Sequence, residues 1–206
     1  MLFRDRIDAG KKLAVALKRA PAVNPIVLGL PRGGVPVAAE VALRLDAPLD
    51  VIVVRKLGAP FNEEFAVGAI GEGVEVLNEE TIRSLGVTPA QLQRVRAKEQ
   101  RELNRRLERF RSGRPPLDLH ERTAIVVDDG IATGATALAA CEVVRALGAA
   151  SVVLAVPVAP PSFTAPHTID EFVCLSRPSH FMAIGQWYTD FTQTSDDEVL
   201  RALSAG

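Results

Sequence analysis

The stretch Thr123-Ala-Ile-Val-Val-Asp-Asp-Gly-Ile-Ala-Thr-Gly-Ala-Thr136 reads as a strand, a ligand-sized loop and the start of a helix. Ala124 to Val127 form a short, largely β-branched apolar run, as expected of a strand buried on both faces. Gly130, Thr133 and Gly134 punctuate its end, and a helix is expected from about Ala135. Ligands of open α/β sheets bind beyond the carboxyl ends of the strands, which is where Asp128 and Asp129 fall. Behind them, small residues let the backbone approach an anion. The free N–H groups and dipole of the helix start, with the Thr133 and Thr136 hydroxyls, suit a phosphate.

Two acids beside a phosphate cradle point to a ligand that is both phosphate and polyol or metal. Four hydrophobic positions, two acids, two variable positions, then a small residue with Thr-Gly-x-Thr resemble the 5-phosphoribosyl-1-pyrophosphate (PRPP) signature of type I phosphoribosyltransferases. A Walker loop would need Gly-Lys-Ser/Thr and a dinucleotide fingerprint G-x-G-x-x-G, and the stretch has neither. The resemblance implies an α/β fold with an open, mainly parallel sheet flanked by helices and a small C-terminal hood over residues 160–206. It covers residues 1–206 as one domain. It also implies phosphoribosyl transfer from PRPP to a nitrogenous base or similar acceptor, with release of pyrophosphate and dependence on Mg²⁺. On the matching positions, Ile131, Ala132, Thr133, Gly134, Ala135 and Thr136 would hold the 5-phosphate. Asp128 and Asp129 would accept from the ribose hydroxyls and serve the metal.

Upstream, Arg4 to Ala20 carries Ile7, Leu13, Ala14 and Leu17 at near-helical spacing and ends before Pro21, an amphipathic helix. Ile26 to Leu30 is a first core strand running into Pro31-Arg32-Gly33-Gly34 and a helix over about Val35 to Leu45, the same strand, loop, helix logic. Paired glycines open backbone conformations closed to other residues, and Arg32 offers a permanent planar cation. By position in the resembled family, Arg32, Gly33 and Gly34 would hold the pyrophosphate. Leu49 to Val54 reads as a second buried strand ending at Arg55-Lys56; either cation could face the diphosphate, and a solvated pair is the alternative for each. Ala66 to Ile70 and Val74 to Leu77 flank Gly71-Glu72-Gly73 as a β-hairpin.

Thr88-Pro89-Ala90-Gln91 combines an N-cap threonine, proline at the first helical position and glutamine three after the cap, so a long helix should run to about Arg111. Between Arg94 and Arg114 stand nine basic residues against three acidic ones. Three readings follow: a nucleic-acid helix, a solvated helix laced by i,i+4 pairs, or, by resemblance, part of a mobile insertion over residues 88–114 that closes on the leaving group.

Downstream, the helix after the signature should end at Gly148, followed by strands over Ser151 to Val158 and Glu171 to Leu175, and a closing helix over Asp196 to Ser204. Residues 181–191 hold the only tryptophan and the only tyrosine, which suggests a core patch or a pocket wall. In the resembled family a hood sandwiches the acceptor, making Phe181, Trp187, Tyr188 and Asp190 its candidate contacts. Family members acting on 6-oxopurines carry aspartate before the Thr-Gly pair; here Ala132 stands there, so hypoxanthine and guanine should be poor acceptors, and the acceptor subclass stays unassigned.

At 206 residues and 48% hydrophobic, the chain can bury one good core, and a formal charge of −1 exerts no pull toward nucleic acid or anionic membrane. Cys141 and Cys174 lack C-x-x-C spacing and read as free thiols, while three scattered histidines make no zinc spacing. No bilayer-length apolar run or signal-peptide core is present, so a cytoplasmic protein is expected. PRPP and a small-molecule acceptor are the expected partners, neither nucleic acid nor membrane is, and a homodimer is among the assemblies the resemblance allows. Two other classes compete with the enzyme: a PRPP-sensing regulator that contacts nucleic acid through the basic helix, and a non-catalytic interaction module.

Overall fold

The computed structural model describes residues 2–18, 22–111 and 113–204, without the side chain of Glu64. The first helix, α1 (Arg6–Leu17), starts on Asp5, whose side chain accepts from the Asp8 N–H, and ends on Lys18, whose N–H donates to the Ala14 carbonyl; residues 19 and 20 of the expected helix lie outside the described residues. Strand β1 (Ile26–Gly29) leads into α2 (Gly34–Leu45), and β6 (Thr123–Val127) into α5 (Ala135–Ala146). With β2 (Leu49–Val51), β7 (Ser151–Val158) and β8 (Glu171–Ser176), these build a five-stranded sheet in the order β2-β1-β6-β7-β8, every neighbouring pair parallel. The expected parallel α/β architecture is present.

Because β1 and β6 are fully buried, their residues alternate between two apolar layers. Ile26, Leu28, Ala124 and Val126 pack with α5 through Ala140, Val143 and Val144. Val27, Ile125 and Val127 pack on the opposite face with Leu13 and Leu17 of α1 and Val37 and Val41 of α2. The order reverses between β1 and β6, so the loops leaving their carboxyl ends splay apart and open the crevice where such sheets bind ligands.

The apolar run Leu49 to Val54 is not one strand: β2 ends at Val51, the chain crosses at Ile52 and Val53, and β3 (Val54–Ala59) begins a separate antiparallel sheet with β4 (Asn62–Gly71) and β5 (Val74–Leu77). Arg55 and Lys56 therefore lie inside a strand, not at a strand end. Apolarity alone gives the same signal for a buried strand and a buried crossing. A short helix outside the sequence expectations, α3 (Glu79–Ser84), follows β5, capped by the Asn78 side chain on the Thr81 N–H.

The long helix runs as expected, α4 (Pro89–Arg111), with the reciprocal capping box of Thr88 and Gln91 at its start. Leu103 and Phe110 of α4 pack with Leu57, Val67 and Ile70 of the antiparallel sheet and with Val199 and Leu203 of α6 (Asp196–Ser204). Within residues 160–204, β8 is the edge strand of the sheet, and the 3₁₀ turn Ile184–Trp187 packs near Phe3 and Val158. Cys141 is buried and Cys174 half-buried, both free. Among the described residues no helix is long and apolar enough to cross a membrane.

Candidate active site

The carboxyl ends of β1 and β6 open into a cleft of about 910 Å³ lined by Arg32 and Gly33, by Arg55 and Lys56, by Asp128 and Asp129, by Ala135 and Thr136, and by the inner face of α4 from Gln91 to Arg106. Six of its lining residues are cationic and four are carboxylates, so the lining carries a modest positive excess. Ala135 and Thr136 of the predicted phosphate loop, Arg32 and Gly33 of the predicted pyrophosphate loop, the acid pair and both basic residues of β3 thus share one cavity, whereas Ile131, Ala132, Thr133, Gly134 and Gly34 do not line it. Phe181, Trp187, Tyr188 and Asp190 do not line it.

The two acids differ. Asp129 is buried and its Oδ2 receives Arg6 Nε at 2.8 Å and Arg6 Nη2 at 2.8 Å. Asp128 accepts the Asp129 N–H at 2.9 Å and, among the described residues, has no cation at ion-pair distance. Burial raises the Asp128 carboxyl well above the ordinary carboxylate range, and the neighbouring Asp129 charge adds to this. Burial also raises Asp129, against the pull of the Arg6 guanidinium.

Glycine at 33 and 34 is what allows the first loop to lie on these acids. A Cβ at Gly33 would stand 2.0 Å from Asp129 Oδ2, and one at Gly34 2.6 Å from the Val127 carbonyl. The Pro31–Arg32 peptide between β1 and this turn is cis. In the second loop Ile131 is buried and its N–H donates to the Val158 carbonyl, whereas Ala132, Thr133 and Thr136 are exposed. Gly134 turns the chain at φ +83° and begins α5 without a side chain of its own to cap it; the Thr133 hydroxyl accepts the Ala135 N–H at 3.4 Å, the only side-chain hydrogen bond to that helix start among the described residues, which suits it to an anion.

The α4 cations are largely spoken for. Arg96 pairs with Glu75, Lys98 with Glu63 at 2.9 Å, Arg105 and Arg106 with Glu102, Arg109 with Asp196, and Arg111 with Asp50 and Glu72. Arg55 reaches the buried Glu99 at 2.7 Å. Arg32 stands 3.8 Å from Asp196 with its side chain 40% exposed. Most of the nine basic residues are therefore neutralised within the protein rather than displayed as a polyanion-binding face.

Residues 4–192 match the model of the phosphoribosyl transferase domain. The chain belongs to the phosphoribosyl transferase family. A Mycobacterium tuberculosis H37Rv protein, provisionally named a phosphoribosyl transferase, is 57% identical over 205 residues. That alignment covers 98% of this chain and 46% of the relative, so the chain spans about half the length of the curated relatives it matches. The crystal structure of TT1426 from Thermus thermophilus superposes with a TM-score of 0.90 at 45% identity, covering 98% of each chain. A hypothetical protein from Neisseria gonorrhoeae, solved with bound ppGpp, shares the fold alone, with a TM-score of 0.51 at 15% identity over 100% of this chain and 98% of that one.

Within this phosphoribosyl transferase fold, the aromatic tail braces the site from outside the cleft. Tyr188 is buried, stacks near Phe3 and Phe191, and its hydroxyl donates to the Asp129 carbonyl at 2.6 Å. Asp190 accepts from the backbone N–H and hydroxyl of Thr192, closing a turn. Trp187 is half-buried, and its Nε1 has no hydrogen-bond partner among the described residues. Sequence reasoning missed Arg6, Glu63 and Glu99. Each reads locally as a solvated charge, and only the pairing across the fold gives it a place at the site.

Proposed function

We propose that the protein transfers the phosphoribosyl group of PRPP to a small acceptor with release of pyrophosphate. The observation that carries this reading is the adjacency, in one cleft, of the Asp128–Asp129 pair and the start of α5 at Ala135 and Thr136. The 131–136 loop binds the 5-phosphate through backbone N–H groups and the Thr133 and Thr136 hydroxyls. Asp128 and Asp129 orient the ribose through its hydroxyls. Arg32 and Lys56, with the backbone at Gly33 and Gly34, balance the departing diphosphate, as a transition state with oxocarbenium character requires.

Two adjacent carboxylates fit Mg²⁺, which keeps several waters and takes substrate oxygens rather than demanding an all-protein cage. No group of three or more His, Cys, Asp or Glu among the described residues forms such a cage. Mg²⁺ carried with PRPP would supply neutralisation of the diphosphate charge. Ala132 in place of an acid favours acceptors other than hypoxanthine and guanine. The chain works as a single domain in the cytoplasm, and residues 88–114 adjust over the leaving group.

The test is pyrophosphate release from PRPP with Mg²⁺ against a pooled panel of purine and pyrimidine bases and a no-base control. Base-dependent release is expected. Absence of release from protein that PRPP nonetheless stabilises would move the reading to a sensor, and absence of any stabilisation would move it to a non-catalytic module.

A further inference from the structure

Arg6 has no part in the phosphate loops, yet three contacts converge on its guanidinium. Nε and Nη2 reach Asp129 Oδ2, Nη1 donates to the Thr192 carbonyl at 2.8 Å, and Cζ lies over the Phe191 ring, 4.1 Å from its centroid. Both partners of the ion pair are only 12% exposed in their side chains. From the other side the Tyr188 hydroxyl holds the Asp129 carbonyl, and Phe3 ties Trp187 and Thr189 through backbone bonds of 2.8 Å. The layer has no slack: the Cβ that would strike Asp129 at Gly33 would also come within 3.1 Å of Arg6 Nε.

We infer that Arg6 is a positioning residue: clamped by Thr192 and Phe191, it engages Asp129 Oδ2 and so presents Oδ1 to a ribose hydroxyl, tying both ends of the fold to the acid pair. A guanidinium does this where an ammonium would not, because its planar fork meets the carboxylate, the carbonyl and the ring face at once. Asp128, with no such partner, stays free to follow the ligand. The inference rests on the PRPP reading above and adds a division of labour within the acid pair.

The test is a double-mutant cycle read by calorimetric binding of PRPP with Mg²⁺, and by kcat and KM once an acceptor is known, well below the melting temperature of every variant. Arg6→Ala is expected to weaken PRPP binding about 10- to 100-fold, the scale of losing a residue that orients a ligating group. In an Asp129→Asn background the same change should cost less than about threefold, because Arg6 acts through that carboxylate. Arg6→Lys should recover melting temperature more fully than PRPP affinity, which a merely structural role would not separate. If Arg6→Ala does not fold, Arg6→Gln takes its place in the cycle. Wild-type binding with independent, multiplicative losses overturns the clamp alone. No binding by the wild-type protein overturns the functional reading and the clamp with it.

Discussion

Two strand, loop, helix units meet at the cleft, and they use glycine for opposite ends. In the β1–α2 unit, Gly33 takes an ordinary helical conformation at φ −64°, and what matters is its missing side chain, which lets the turn press on Asp129. In the β6–α5 unit, Gly134 takes φ +83°, and what matters is the backbone turn that starts the helix beside exposed Thr133 and Thr136. The first loop packs against the acids; in the second, Ala132, Thr133 and Thr136 face solvent. Similar sequence logic thus yields one loop whose changes should register in stability and one whose changes should register in binding.

The acids between the loops give the sharpest separation. Asp128→Asn should lower PRPP-dependent turnover by about 10²–10³-fold, on the scale of losing a preorganised polar contact to the reacting group. The same variant should melt higher than wild type at neutral pH. A carboxyl whose folded pKa is raised holds a proton that the unfolded chain releases, so its effect on stability worsens as pH rises from the ordinary carboxylate range through the raised folded value. Asparagine removes that cost, so the gain in melting temperature should shrink toward acid pH. Paired activity and melting curves across pH check both halves.

Gly33→Ala tests the packing loop. With Asp129 Oδ2 2.0 Å from the added carbon, the variant should lose roughly 1–3 kcal/mol of stability, a fall in Tm on the order of 5 °C, seen by calorimetry. Thr136→Val tests the facing loop. It should leave Tm nearly unchanged and weaken PRPP binding by about 0.5–1.5 kcal/mol, the net value of one hydrogen bond, measured by titration. A large stability loss at Thr136 with no change in binding would erase the distinction between the units. The acceptor panel offers a further check on the second loop: hypoxanthine and guanine should turn over poorly with Ala132 in place, and efficient turnover of either would reassign that position.

The same contrast governs what could be read in advance. The parallel sheet was legible because buried parallel strands are continuous β-branched runs closed by Gly or Pro, so β7 falls on Ser151–Val158 as read, and α4 declared itself through Thr88, Pro89 and Gln91. Local chemistry also marked both loops and the acid pair. Long-range pairing was not legible. Arg6 meets Asp129 across 123 positions, Glu99 hides in a basic helix until Arg55 crosses to it, and a buried aromatic such as Tyr188 has the same sequence signature as a cavity wall. The break between β2 and β3 was invisible for a related reason, since Ile52 and Val53 stay buried while the chain changes sheets.

The most direct test of the central claim, that the Asp128 to Thr136 unit binds PRPP, is calorimetric titration of PRPP with Mg²⁺ into the wild-type protein and the Thr136→Val variant. Saturable binding by the wild type at one site per chain, weakened in the variant at unchanged Tm, is the predicted result. A wild-type protein that takes up no PRPP, or a variant that binds it equally well, would contradict the account.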